Sequence, residues 1–174
     1  AASFMAEVYG RLTGRAGVCS ATLGPGAINM LLGVADATTN STPVVALSAQ
    51  VGMHRRFKES HQGVDLVSMF EPATKWSELV ATPGAVPEML RKAFKLAQTE
   101  RPGAVYLAVP EDVETAPAPA GARPLAVNTP RPDEPSPAQL QRAAEVLRAA
   151  GNPIVLAGHG AARGGAGDAV RAFA

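Results

Sequence analysis

His61 and Gln62 stand side by side in a polar stretch of the 174-residue sequence, and together they are well suited to work on a carbonyl substrate. A histidine with an ordinary pKa of about 6.5 moves protons near neutral pH, and a glutamine orients a carboxylate or carbonyl without changing its own charge. A solvated loop accounts for the same two residues. A second candidate is Gly24-Pro25-Gly26, where glycines let backbone approach a ligand closely and the following helix offers free N–H groups. A tight strand-to-helix turn without a ligand explains it as simply. Asn29, one turn further on, is a lone amide among Ala27, Ile28, Met30, Leu31 and Leu32, either buried and in need of a partner or an ordinary surface residue. Arg55, Arg56 and Lys58 precede the His-Gln pair, either as a solvated basic loop or as a means of steering anions.

Other chemistries find little support. Cys19, His54 and His61 lack the spacing of a zinc site, so no metal ligands are assigned. Glu7, Glu59, Asp65 and Glu71 form no spaced pair of the kind used in two-carboxylate hydrolysis. Gly158-His159-Gly160-Ala161-Ala162-Arg163 has Arg where a dinucleotide fingerprint requires Gly or Ala. The phosphate-binding Walker loop, the serine-hydrolase elbow and the zincin helix motif do not occur. With 16 basic and 15 acidic residues the formal net charge is +1, too weak a field to imply nucleic acid or an anionic membrane as partner. Hydrophobic residues make up 47%, enough for a sizeable core. No apolar run reaches membrane-spanning length. A single cysteine excludes an internal disulfide framework and fits the cytoplasm. The opening Ala1-Ala2-Ser3, with neither an initiator Met nor a signal sequence, reads as the middle of a longer polypeptide.

The elements that must position these residues follow from periodicity. Phe4, Val8 and Leu12, with Met5 and Tyr9 beside them, predict an amphipathic helix up to Gly14. Strands are predicted at 17–22, 43–48 and 104–109, with a shorter one at 74–80. The runs at 43–48 and 104–109 are apolar without alternation, as in a parallel sheet covered on both faces. Helices are predicted over 27–39, 65–70 and 83–100, the last with Val86, Met89, Leu90, Ala93, Phe94 and Ala97 on one face. Residues 50–63 read as a long loop at the carboxyl side of the second strand. Strands alternating with helices give an α/β fold with a mostly parallel sheet. The organisation expected is a first domain over 1–110, a Pro/Ala-rich linker over 111–135, and over 136–174 the beginning of a second, Rossmann-like α/β domain. In that second part Ser136-Pro137-Ala138-Gln139 starts a helix with a capping box, 154–157 forms a strand, and a helix closes the chain.

Taken in order, these segments resemble the thiamine-diphosphate enzymes of the acetolactate synthase and acetohydroxyacid synthase family, catalytic subunit, over nearly the whole chain. The matching segments are 1–14, Leu23-Gly24-Pro25-Gly26-Ala27-Ile28-Asn29, Asp36-Ala37, Pro43 to Leu47, His61-Gln62, Phe70 to Trp76, Arg101 to Val105, and Val109 to Val113. The resemblance implies a pyrimidine-binding domain of a carboligase that decarboxylates pyruvate and condenses the product with a second 2-keto acid. It implies that Gly24, Pro25 and Gly26 face the cofactor's pyrimidine, with Asn29 supporting the turn, and that Gln62 and His61 line the reaction pocket. Arg101 matches the Arg that contacts FAD in members carrying this flavin. The family's activating Glu falls just upstream of Ala1, and the domain holding diphosphate and magnesium falls beyond Ala174, so the chain alone is expected to be inactive. His61-Gln62 and Met69 to Lys75 follow the flavin-independent catabolic pattern of acetoin formation, whereas Arg101 is compatible with the biosynthetic, branched-chain pattern. A homodimer or tetramer and a regulatory subunit are implied as partners. Pyruvate oxidase, glyoxylate carboligase, a 2-keto acid decarboxylase and a non-catalytic α/β interaction module are the alternatives.

Overall fold

Val44-Val45-Ala46-Leu47 and Ala104-Val105-Tyr106-Leu107-Ala108 have no polar face to turn to water, and both become central strands. In the computed structural model, which describes residues 1–128 and 134–174, the chain divides at 130/131 into two compact units. The first contains helix α1 (Ala2–Thr13), β1 (Gly17–Ala21), α2 (Pro25–Thr39), β2 (Val44–Gln50), α3 (Leu66–Phe70), β3 (Trp76–Leu79), α4 (Val86–Gln98), β4 (Ala104–Pro110) and α5 (Glu111–Thr115). Its four strands form one sheet in the order β1-β2-β4-β3, and every pairing is parallel.

Alternate side chains of each strand feed opposite layers. Val44, Ala46, Ala104, Tyr106 and Ala108 pack with Ala27, Met30, Val34 and Ala37 of α2 and with Leu66 and Phe70 of α3. Val45, Val105 and Leu107 pack with Ala93 and Ala97 of α4 and Val113 of α5. The six residues expected on one face of α4 all join this second cluster. The predicted α/β architecture is therefore the one observed.

Helix α1 forms where its spacing predicts, but its large apolar side chains face outward. Ser3, Ala6, Glu7 and Gly10 are buried, while Phe4, Met5, Val8, Tyr9 and Leu12 are 40 to 80% exposed. The reason is close backbone approach. A Cβ on Gly10 would lie 2.5 Å from the Pro43 carbonyl oxygen, and one on Gly17 would lie 2.0 Å from that of Ala6, so only the small face of α1 fits against β1 and α2. Buried Glu7 accepts a hydrogen bond from Thr42 at 3.2 Å and pairs with Arg11, tying α1 to the segment that leads into β2.

Cys19 lies in the core with its Sγ 3.4 Å from the Met30 sulfur. Burial pushes its thiol from 9.0 up to about 11. The unfolded chain gives up this proton first, so the stability the neutral thiol contributes is intact below about pH 9 and is lost as pH rises toward 11. Thermal melting followed across this range should decline less steeply in Cys19→Ala than in the native protein.

Two local expectations are corrected here. Helix α2 begins at Pro25 rather than Ala27, because proline suits the first helical position, where its missing N–H is no loss. Residues 111–115 are not linker but helix α5, whose acidic first turn matches the helix dipole and whose Val113 enters the core. The segment 129–133 of the expected linker lies outside the described residues.

The second unit contains α6 (Pro137–Ala149), α7 (His159–Arg163) and α8 (Gly167–Phe173). The capping box at Ser136 and Gln139 is formed as read. Residues 154–157 are not a strand, and Ile154 and Leu156 are 94% and 95% exposed. A strand requires a hydrogen-bonding neighbour, and no other segment of this unit forms a strand among the described residues. No helix of the described residues is long and apolar enough to cross a membrane.

Candidate functional site

Strands of a parallel sheet all end at one edge, and there the segments following β1 and β2 meet. Gly24 caps α2 with φ 57° and ψ −122°, a conformation that glycine alone adopts without strain. A Cβ on Gly24 would stand 2.8 Å from both the Cβ and the carbonyl oxygen of Gln62. The turn after β1 and the loop after β2 are thus in direct contact. Gln62 itself has φ 59°, an uncommon conformation for a residue with a side chain, and is half-buried. A Cβ on Gly26 would meet Thr22 Cγ2 at 2.5 Å, so the second glycine keeps α2 close to the end of β1. Two motifs read separately from sequence form one corner.

Further side chains hold that corner, among them Gln50, which has no assigned role in the sequence reading. The Gln50 amide donates to the Val64 carbonyl at 2.9 Å and accepts from the Val51 N–H at 2.8 Å, fastening the end of β2 to the chain just past Gln62. Its only sequence signal is a polar residue ending an apolar strand. Asp112 accepts from the Met53 N–H at 2.9 Å, and Arg55 pairs with Glu111, so α5 clamps the start of the loop. Asp65 closes it by capping α3. Hydrogen bonds from the Ser68 side chain and backbone, with the nearby Arg56 charge, hold its carboxyl below the usual range.

The remaining predicted residues are less closely gathered. Pro25 and Asn29 are exposed on α2, and His61 is exposed beside Gln62. The Asn29 side chain makes no hydrogen bond to the turn. Arg101 lies at the opposite edge of the sheet, just before β4. Its guanidinium donates to Ser41 Oγ at 2.6 Å and to the carbonyls of Thr38 and Thr39 at 3.4 and 3.3 Å, capping the end of α2.

At the site edge, a cavity of about 410 Å³ opens at the ends of β1, β2 and β4, lined by Ser20, Ala21, Thr22 and Ser48 together with Leu47, Val109 and Glu114. A second cavity, of about 270 Å³, lies under the loop between Arg56 and Asp65. An apolar cavity of about 490 Å³ between α4 and residues 122–127 shares no residue with either. Among the described residues no group of three His, Cys, Asp or Glu side chains is placed to hold a metal ion.

Residues 1–69 match the family model described as thiamine pyrophosphate enzyme, N-terminal TPP binding domain. The chain is 38% identical to the catabolic acetolactate synthase of Raoultella terrigena over 157 residues, which is 90% of this chain and 28% of that protein. It is 36% identical to the acetolactate synthase large subunit of Corynebacterium glutamicum over 182 residues, 99% of this chain and 28% of that protein. With the acetolactate synthase of Bacillus subtilis it shares 42% identity over 112 residues, 64% of this chain and 20% of that protein. The chain spans less than a third of the length of these relatives.

Proposed function

Because this chain belongs to the acetolactate synthase family of thiamine-diphosphate enzymes, we propose that it serves in an enzyme that decarboxylates pyruvate and joins the two-carbon unit to a second 2-keto acid, giving acetolactate. The observation that carries this is the contact of Gly24 with Gln62. One residue belongs to a cofactor-facing turn and the other to a pocket loop, and the reaction needs both at one place.

When bound, thiamine diphosphate supplies a carbon nucleophile and then an electron sink for decarboxylation. This chain's residues offer it a ring site. The aminopyrimidine is assigned to the cavity beside Ser20, Ala21, Thr22 and Ser48, next along the chain to the Gly24-Pro25-Gly26 turn, which presents backbone with little side chain. The Gln62 amide, carried on a left-handed backbone turn, orients the keto acid by donating to its carbonyl. His61 beside it is exposed and free to pass a proton to solvent. The chain corresponds to less than a third of the length of its relatives, and the site for diphosphate and magnesium is assigned to the remainder of the full-length enzyme. Arg101 holds the end of α2 through Nε and Nη2, which leaves Nη1 as the donor for a flavin contact in an FAD-carrying enzyme, whereas the His61-Gln62 pattern favours the flavin-independent catabolic type.

Homo-oligomeric assembly is supported by the outward apolar face of α1, which assembly would cover. A regulatory subunit is supported by the large-subunit names of several relatives. The cytoplasm is the assigned compartment.

Calorimetry with thiamine diphosphate and magnesium tests the division of labour. The full-length protein should bind at micromolar concentrations, and the isolated 174-residue chain should not. Tight binding by the chain alone would move the diphosphate site into it, and no binding by the full-length protein would end the proposal.

A further inference from the structure

We propose that Arg56 and Lys58 recognise the carboxylate of the 2-keto acid, which enters through the cavity beneath them. This assignment rests on the function proposed above and adds the group that selects the substrate. The cavity, of about 270 Å³, begins at Gln50 where β2 ends and is lined by Arg56, Phe57, Lys58 and Gly63, the last adjacent to Gln62. An acid held there by its carboxylate would present its keto group toward the Gly24–Gln62 corner.

The three cations of the loop divide by role. Arg55 is spent on Glu111 of α5, which anchors the loop. Arg56 and Lys58 form no ion pair among the described residues. Arg56 stands 5.9 Å over the exposed Phe57 ring, and the nearest acid that lines the cavity, Asp65, has both oxygens engaged by Ser68. Two cations against one committed carboxylate leave the cavity with a surplus positive charge, suited to a small monoanion. A guanidinium matches a carboxylate in two parallel hydrogen bonds, and an ammonium adds a point charge.

The test uses the full-length protein. Equilibrium dialysis of labelled pyruvate against the cofactor-free enzyme should show binding that weakens about tenfold in Arg56→Ala and in Lys58→Ala, the loss set by one charged hydrogen bond. Lys58→Arg should restore it, and Arg91→Ala, on the far face of α4, should leave it unchanged. In the cofactor-loaded enzyme the same alanine variants should raise KM for pyruvate by the same factor with kcat within about twofold. Unchanged dissociation constants and KM values in both variants would overturn the assignment. So would a fall in kcat at constant KM, or inorganic phosphate displacing pyruvate at equal concentration. Failure of the native enzyme to form acetolactate while it still binds pyruvate in a Lys58-dependent way would strike the proposed reaction and leave this site standing.

Discussion

Gly24→Ala is expected to destabilise the first unit by about 3 kcal/mol and to lower kcat/KM of the full-length enzyme at least about a hundredfold. The backbone at Gly24 sits at φ 57° and ψ −122°, where a side chain costs about 1–3 kcal/mol in strain. The added methyl would also stand 2.8 Å from the backbone oxygen of Gln62, and backbone cannot step aside as a flexible side chain can. Relief comes only by separating the turn from the loop, and that separation is what damages the site. A Pro25→Ala substitution provides the contrast. Pro25 is exposed at the first position of α2, so its replacement should cost less than about 1 kcal/mol. Thermal melting with steady-state kinetics distinguishes the two, and a Gly24→Ala enzyme with native melting and native turnover would contradict the geometry.

Phe70→Ala is expected to cost about 3–5 kcal/mol, the usual range for a large aromatic deleted from a packed core. Its ring stacks on Tyr106 with centroids 3.8 Å apart and planes 9° from parallel, and both residues are fully buried. Phe70 is also the last residue of α3, the helix that ends the His61-Gln62 loop, so the cavity it leaves should loosen that loop as well as the core. Tyr106→Phe keeps the stack and removes only the hydroxyl that shares a 2.6 Å hydrogen bond with Ser48. Ser48 retains the Ala49 carbonyl as acceptor, so this change should cost about 1 kcal/mol. Urea unfolding should order the variants Phe70→Ala, then Tyr106→Phe, then native, in rising midpoint.

The strands were legible because β2 and β4 are continuous apolar runs, and α4 because its stripe recurs at helical spacing. The two site motifs were legible as motifs, but nothing in the spacing of Gly24 and Gln62 shows that they touch. That follows from β1 and β2 being parallel neighbours, a tertiary fact. The orientation of α1 was hidden because hydrophobic pattern favours burying Phe4 and Val8, whereas Gly10, Gly17 and Gly33 let backbones approach until only small residues fit. Thr74-Lys75 reads as a family signature, yet Lys75 has a structural task. Its ammonium donates to the Leu96 and Thr99 carbonyls at 2.5 and 2.7 Å, finishing α4. Residues 154–157 are apolar enough for a strand but have no partner in their own unit, and sequence patterning cannot supply one.

The most direct measurement is acetolactate production by the full-length protein given pyruvate, thiamine diphosphate and magnesium, set beside the Gln62→Ala variant. The native enzyme should form acetolactate, and the variant should bind the cofactor as tightly yet turn over about a hundredfold more slowly, the scale of removing one positioned polar group. No acetolactate from the native enzyme, or full activity without the Gln62 side chain, would contradict the assignment of the Gly24–Gln62 corner as the place where cofactor and substrate meet.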